Sequence, residues 1–249
     1  MSGQLHALFI SDLHLTPERP IPVQLFHRFI AEVAPAAQSL YILGDFFEAW
    51  VGDDTLNTAF NQGITKTLKR LSEQGVKLFF LPGNRDFLVG TAFAEAAGLT
   101  LLADLTTLDL FGVQTLLAHG DQFCTDDTAY QAFRQQVRDP AWQRQFLAQP
   151  IAQRLALANA LRERSENAKA DKKPEIMDVN SATITATLED PLRNNPPIRR
   201  IIHGHTHRPA RHEYQQGEHL GERWVLPDWY ETGGYLTCDE RGCRLVEFP

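Results

Sequence analysis

The stretch His203-Gly204-His205-Thr206-His207-Arg208-Pro209 places three of the chain's nine histidines at alternate positions, directly after the apolar pair Ile201-Ile202. Alternate side chains of an extended segment share one side, so two such imidazoles can reach a common ion. Four other apolar runs end in the same kind of residue. The run 5–10 leads to Asp12 and His14, 39–43 to Asp45, 76–82 to Asn84, Arg85 and Asp86, and 113–118 to His119 and Asp121. Asp12, His14, Asp45, Asn84, His119, His205 and His207 are nitrogen and oxygen donors with no thiolate among them. They are more than one tetrahedral zinc needs, but two ions sharing Asp45 as a bridge would use them all. The mixed set suits Mn²⁺, Fe or Zn²⁺ better than Mg²⁺ or Ca²⁺. Two ions about 3.5–4 Å apart are a common device for hydrolysing phosphate esters.

The elements that must position these groups are legible in outline. Short apolar runs bounded by Gly and polar residues read as buried strands. Between them, Val23, Phe26, Phe29, Ile30 and Val33 recur at helical spacing, as do Leu56, Phe60, Ile64, Leu68 and Leu71, with Gly75 as a stop. Alternating strands and helices predict an α/β fold with helices covering a sheet. Sites in such folds lie beyond the carboxyl ends of the strands, which is where the donors stand. Residues 126–190 break the rhythm: no strand is predicted, and the stretch looks helical, with Pro140 and Pro150 as breakers or first-turn residues. The predicted division is a core of 1–125 and 191–249 with a helical cap insertion at 126–190. An apolar stripe on it (Trp142, Phe146, Ile151, Leu155, Leu161) either faces the core or lines an apolar groove that touches a membrane surface. The tail, from 212 on, reads as β-hairpins with turns at Gly233-Gly234 and at Glu240-Arg241-Gly242.

With 249 residues the chain is long enough for one large domain or a domain with an insertion. A formal charge of −7 provides no broad basic field, so no nucleic-acid partner is expected. Three cysteines without a C-x-x-C pair suggest no disulfide framework and a reducing, cytoplasmic setting. The first residues form neither a secretory signal nor a transit peptide, and no apolar run approaches a membrane span.

The ordered blocks Asp12-x-His14, Gly44-Asp45, Gly83-Asn84-Arg85-Asp86, His119-Gly120-Asp121 and Gly204-His205-Thr206-His207 resemble those of the calcineurin-like metallophosphoesterases. That resemblance implies an αββα sandwich carrying two metal ions. Asp12, His14, Asp45 and His207 would hold one ion, and Asp45, Asn84, His119 and His205 the other. His203 is then a neighbour of the ligands and not one of them. Most of that superfamily has His after Gly-Asn, where it serves a leaving alkoxide. Arg85 cannot act as a general acid at neutral pH, whereas a phosphate leaving group needs none. Arg85 therefore points to cleavage of a pyrophosphate.

Six longer stretches, 9–15, 43–54, 82–90, 119–127, 175–180 and 203–209, resemble more narrowly the UDP-2,3-diacylglucosamine hydrolases (pyrophosphatases). The resemblance implies hydrolysis of a UDP-linked diacyl sugar to lipid X and UMP in lipid A biosynthesis, by attack of a dimetal-bound hydroxide on the α-phosphorus. It implies two Mn²⁺ ions, with other divalent transition metals as alternatives. Asp45, Asn84, Arg85 and His119 would be catalytic. Asn84, Arg85, Asp127, Ser165, Lys169, Lys172 and His205 would contact the substrate, although the family pattern has Asn at the place of Lys169. The expected protein is a monomer on the cytoplasmic face of the inner membrane, in peripheral contact with it. Competing readings are another metallophosphoesterase, such as a nucleotide pyrophosphatase, cyclic-nucleotide phosphodiesterase or nuclease, and a non-catalytic metal-binding module.

Overall fold

A computed structural model describes residues 6–170, 176, 178–190, 196–216 and 219–249, and of residues 164–170, 216 and 219 the backbone alone. Two sheets face each other. The first has the order β11-β10-β1-β2-β3-β4, formed by β1 (Ala7–Ile10), β2 (Ser39–Ile42), β3 (Lys77–Phe80), β4 (Leu99–Leu101), β10 (Gly233–Asp239) and β11 (Gly242–Phe248). The second has the order β5-β6-β7-β9-β8, from β5 (Leu105–Leu110), β6 (Val113–Ala118), β7 (Arg200–His203), β8 (Ala210–Gln216) and β9 (His219–Val225). The ligand-bearing strands β1, β2 and β3 run parallel, as do β6 and β7. Every residue of β1, β2 and β7 is buried, the mark of strands covered on both faces.

Period-2 alternation sorts the core into layers. Phe9, Tyr41, Leu43, Leu81, Leu117, Ile202 and Leu236 fill the space between the sheets. Leu8, Ile10, Leu40, Ile42, Leu78 and Phe80 face the other way. There they meet α1 (Pro20–Glu32), α2 (Ala59–Glu73) and α3 (Thr91–Ala97). Pro20 opens α1, Thr58 caps α2 by accepting from Asn61 N, and Gly75, the predicted stop, follows the end of α2 with φ +97°. On the outer face of the second sheet, Ile184 and Leu188 of α7 (Ser181–Glu189) pack on Leu116, Ala118 and Ile201. The fold is an αββα sandwich.

The remaining helices, α4 (Thr128–Arg138), α5 (Pro140–Leu147) and α6 (Ile151–Ala170), lie between the fourth and fifth ligand strands in the sequence. Asp127 and Asp139 cap the first two through backbone N–H groups. Arginines tie this layer to the core. Arg154 of α6, fully buried, donates to Val51 O and pairs with Asp54. Arg138 of α4 donates to Gly83 O at 2.9 Å.

Three expectations need correction. Gly233-Gly234 is not a turn but the start of β10: added Cβ atoms would meet Trp229 and Pro227, so the glycines make room for those rings. Cys238 and Cys243 are joined in a disulfide, because the turn at Glu240-Arg241 sets them opposite each other on β10 and β11. The apolar stripe divides: Phe146 joins the core with Trp142 against it, while Ile151 and Leu155 are exposed. No described helix is long and apolar enough to cross a membrane.

Candidate active site

The carboxyl ends of both sheets converge on one place. Asp12, His14, Asp45 and Asn84 come from the first sheet, His119, His205 and His207 from the second. Two clusters form there. Ligand-capable atoms of Asp12, His14 and His207 lie within 4.8 Å of one another, and so do those of Asp45, His119 and His205. Asp45 spans the two: Oδ2 is 3.8 Å from His14 Nε2, and Oδ1 is 3.5 Å from His119 Nε2. Asn84 Oδ1 joins the second cluster, 3.0 Å from His119 Nε2. All seven donors named from the sequence are thus brought together.

The backbone is bent to do this. Asp12, His14, Asp45, His205 and His207 have φ of 56°, 49°, 49°, 70° and 53°. Left-handed backbone is costly for residues with a Cβ, and strain of this kind gathers at functional sites. Gly204 packs against the Asp12 carboxylate and the Ser11 hydroxyl, and Gly83 against Asp45, closer than any side chain allows.

Hydrogen bonds fix which ring nitrogens face inward. His119 Nδ1 lies 2.9 Å from Leu43 O, an acceptor, so it carries the proton and Nε2 turns toward Asp45. Asp12 Oδ2 accepts from Ser11 Oγ at 2.6 Å and His205 N at 2.9 Å, leaving Oδ1 for His207 Nε2 at 3.4 Å. His203 is excluded from the centre: Nδ1 donates to Gly204 O at 2.9 Å and Nε2 faces Arg223 at 3.0 Å. Burial and the Arg223 charge push it down to about 3, so it stays neutral.

The charge balance calls for cations. Burial opposes the charge of Asp12, yet its close contact with His207 and the fields of His119, His207 and His14 hold it well below the usual carboxylate range. Burial also opposes charge on His119, but Asp45, Asp12 and Asp121 outweigh it and raise the imidazole to about 9. Asp12 Oδ1 and both ring nitrogens of His14 are buried without a hydrogen-bond partner. Orphaned donor atoms, carboxylates in excess and an imidazole-carboxylate set fit a pair of divalent transition-metal ions.

Residues without a role assigned from sequence support the ligands. Asp86 is fully buried and accepts from Gly83 N (2.7 Å), Phe46 N (2.7 Å), Asp45 N (3.3 Å) and Phe47 N (3.3 Å), clamping two ligand loops together. Its place in Gly-Asn-Arg-Asp was the available signal. Asp121 takes Tyr130 OH at 2.6 Å and Arg134 Nε at 2.9 Å, seating α4 beside the centre. Asp228, 3.8 Å from His207 Nδ1, and Tyr230, stacked on His14 at 5.4 Å, come from the loop before β10, where no sequence pattern marked them.

A cavity of about 340 Å³ opens beside Asn84 and Arg85. Phe87, Phe133, Val137, Trp142 and Phe146 make its walls chiefly apolar. It runs between the core and α4–α6. Asp127 caps α4 through Tyr130 N at 3.1 Å. Ser165, Lys169 and Lys172 lie outside the residues whose side chains are described.

Comparison with known proteins agrees with this geometry. Residues 5–209 match the family described as calcineurin-like phosphoesterase. A protein of Xanthomonas axonopodis pv. citri named UDP-2,3-diacylglucosamine hydrolase is 49% identical over 247 residues, 96% of this chain and 98% of its own length. One of the same name from Aromatoleum aromaticum is 48% identical, covering 96% of this chain and 95% of its own. Among solved structures, a dimetal phosphatase from Danio rerio shares the fold, with TM-score 0.50 and 10% identity over the whole of both chains.

Proposed function

Because the chain belongs to the calcineurin-like phosphoesterases, and among them to the UDP-2,3-diacylglucosamine hydrolases, we propose that it splits the pyrophosphate of UDP-2,3-diacylglucosamine into 2,3-diacylglucosamine 1-phosphate (lipid X) and UMP, a step of lipid A biosynthesis. The observation that carries this reading is the continuity of the apolar cavity with Asn84 and Arg85 at the edge of the metal clusters. A phosphate centre opening into an apolar chamber fits a substrate that is a phosphoanhydride at one end and acyl chains at the other.

Asp12, His14, Asp45 and His207 would hold one ion, and Asp45, Asn84, His119 and His205 the second. Mn²⁺ is the metal this reading favours. Such a pair supplies Lewis acidity to the phosphoryl oxygens and lowers the pKa of water. The Arg85 guanidinium binds phosphoryl oxygens as charge develops on them. Water loses a proton to solvent as its oxygen adds to the α-phosphorus, the bond from that phosphorus to the bridging oxygen breaks, and the sugar phosphate departs without needing a proton. The cavity beneath α4–α6 shelters the acyl chains. Asp127, Ser165, Lys169 and Lys172 are assigned to the sugar and phosphate groups.

Leu147, Ile151 and Leu155 are 41%, 37% and 43% exposed on α5 and α6. They suit a shallow, peripheral contact of a monomer with the cytoplasmic face of the inner membrane, where such a substrate resides. Nothing in the charge of −7 suits nucleic acid.

Hydrolysis in ¹⁸O-labelled water, with Mn²⁺ added, tests the scheme. Label in UMP supports attack at the α-phosphorus, and label in the sugar phosphate moves the attack to the other phosphorus. Turnover of simple phosphodiesters in place of the acylated UDP-sugar would leave a different metallophosphoesterase.

A further inference from the structure

Glu48 lies at the inner end of the loop that begins with Asp45, and it is only 7% exposed. A carboxylate at that depth requires partners. Three cationic or donor groups face it: Arg162 Nε at 3.1 Å, Arg19 NH1 at 3.4 Å and His14 Nδ1 at 3.5 Å. They come from different parts of the fold. His14 follows β1, Arg19 precedes α1, and Arg162 belongs to α6. On the far edge of its ring, His14 turns Nε2 toward Asp45. Tyr230 lies nearly parallel to that ring, at 15°, with the Arg19 guanidinium 5.0 Å from its centre.

We propose that Glu48 is a positioning residue for the metal subsite of Asp12, His14 and His207, and that it links this subsite to the seating of α6. Glu48 Oε2 faces His14 Nδ1 at 3.5 Å, which leaves Nε2 as the lone-pair donor toward the ion. A carboxylate behind a metal-binding imidazole fixes the tautomer, orients the ring and raises its basicity. Arg162 in turn holds Glu48 in place with a charge-assisted contact. When α6 is seated, the Glu48 carboxylate is pinned and His14 with it. When α6 lifts, Arg162 leaves, and Glu48 is freer to turn away from the imidazole. The inference rests on the reading of His14 as a metal ligand.

The test is titration of the metal-free, full-length protein with Mn²⁺ alone, by calorimetry and by electron paramagnetic resonance of free Mn²⁺. Wild type is expected to take up two ions and His14→Ala to lose one. Glu48→Gln should retain two, with one weakened about 10–100-fold and the melting temperature of the metal-free protein little changed. Arg162→Ala should weaken that same ion by a smaller factor and add nothing further to Glu48→Gln, as members of one chain of contacts do. Wild-type affinity for both ions in Glu48→Gln, alongside a lost ion in His14→Ala, would reduce Glu48 to a structural anchor and overturn the proposal while leaving the metal centre standing. Two tightly held ions in His14→Ala would overturn the ligand reading and the proposal together. If Glu48→Gln does not fold, Arg162→Ala decides: unchanged Mn²⁺ binding there breaks the proposed link.

Discussion

Gly204 packs against Asp12 so closely that a Cβ at position 204 would overlap the Asp12 carboxylate and the Ser11 hydroxyl. The overlap is with fully buried groups, which cannot swing into solvent to relieve it. Overpacking of this kind costs about 1–3 kcal/mol, and a displacement of about 1 Å in a catalytic group costs on the order of 100-fold in rate. Gly204→Ala should therefore fold, lose most turnover and bind less metal. Wild-type kcat with a full complement of metal would show that the Asp12 loop can shift aside.

Asp45 stands between His14 and His119, with one carboxylate oxygen toward each cluster. Asp45→Ala and His119→Ala should abolish UMP formation while circular dichroism reports an unchanged fold. Both residues serve the centre and neither belongs to a hydrophobic cluster. Substantial turnover in either variant would sink the two-metal scheme.

Asp86 accepts backbone N–H groups from both the Gly83 and the Asp45 loops. Asp86→Ala leaves these donors buried without an acceptor, at about 1–3 kcal/mol for each one left unsatisfied. The variant should lose roughly 2–5 kcal/mol in urea unfolding and lose activity with it. A stability loss well below 1 kcal/mol would mean that water replaces the carboxylate and that the clamp is dispensable.

The donors were legible in the sequence because metal-binding residue types recur after apolar runs, beside glycines, whatever the details of the fold. The supporting contacts were not. Arg154 reaches Asp54 across 100 residues, and Arg162 reaches Glu48 in the same way, so no local pattern marks them. The positive φ of Asp12, His14 and Asp45 is imposed by tertiary contacts such as the Asp86 clamp, against the local preference of those residues. Strands β4 and β5 were missed because they are short or half-buried, with mixed polar residues such as Thr100, Thr106 and Asp109. The pairing of Cys238 with Cys243 depends on hairpin register, which an odd cysteine count hides.

That pairing gives a count to check. Burial, with the charges of Asp121, Asp178 and Asp127, pushes the Cys124 thiol up to about 12, so its reactive thiolate is scarce at neutral pH. Native protein should show no fast-reacting thiol. Unfolded without reductant it should show one, and after reduction three, the total in the sequence. Three thiols in the unfolded, unreduced protein would place Cys238 and Cys243 in the dithiol state.

Glu222 of β9 ties β7 to β8: its carboxylate meets Arg200 Nε at 2.5 Å and Arg211 Nε at 3.0 Å. Burial works to raise its pKa, but the hydrogen bond and charge of Arg200, with the bond from Arg211, bring it below its ordinary 4.5. A folded-state value below the unfolded one means that the folded state binds the proton less readily. The stabilisation is therefore fully present above the unfolded value and disappears as pH falls through the folded one. Urea unfolding of wild type and Glu222→Gln should differ most at pH 6–7, and the two should approach each other as the pH drops through 4 toward 3. A gap that stays constant over that range would show that Glu222 contributes by packing its side chain, not through its charge.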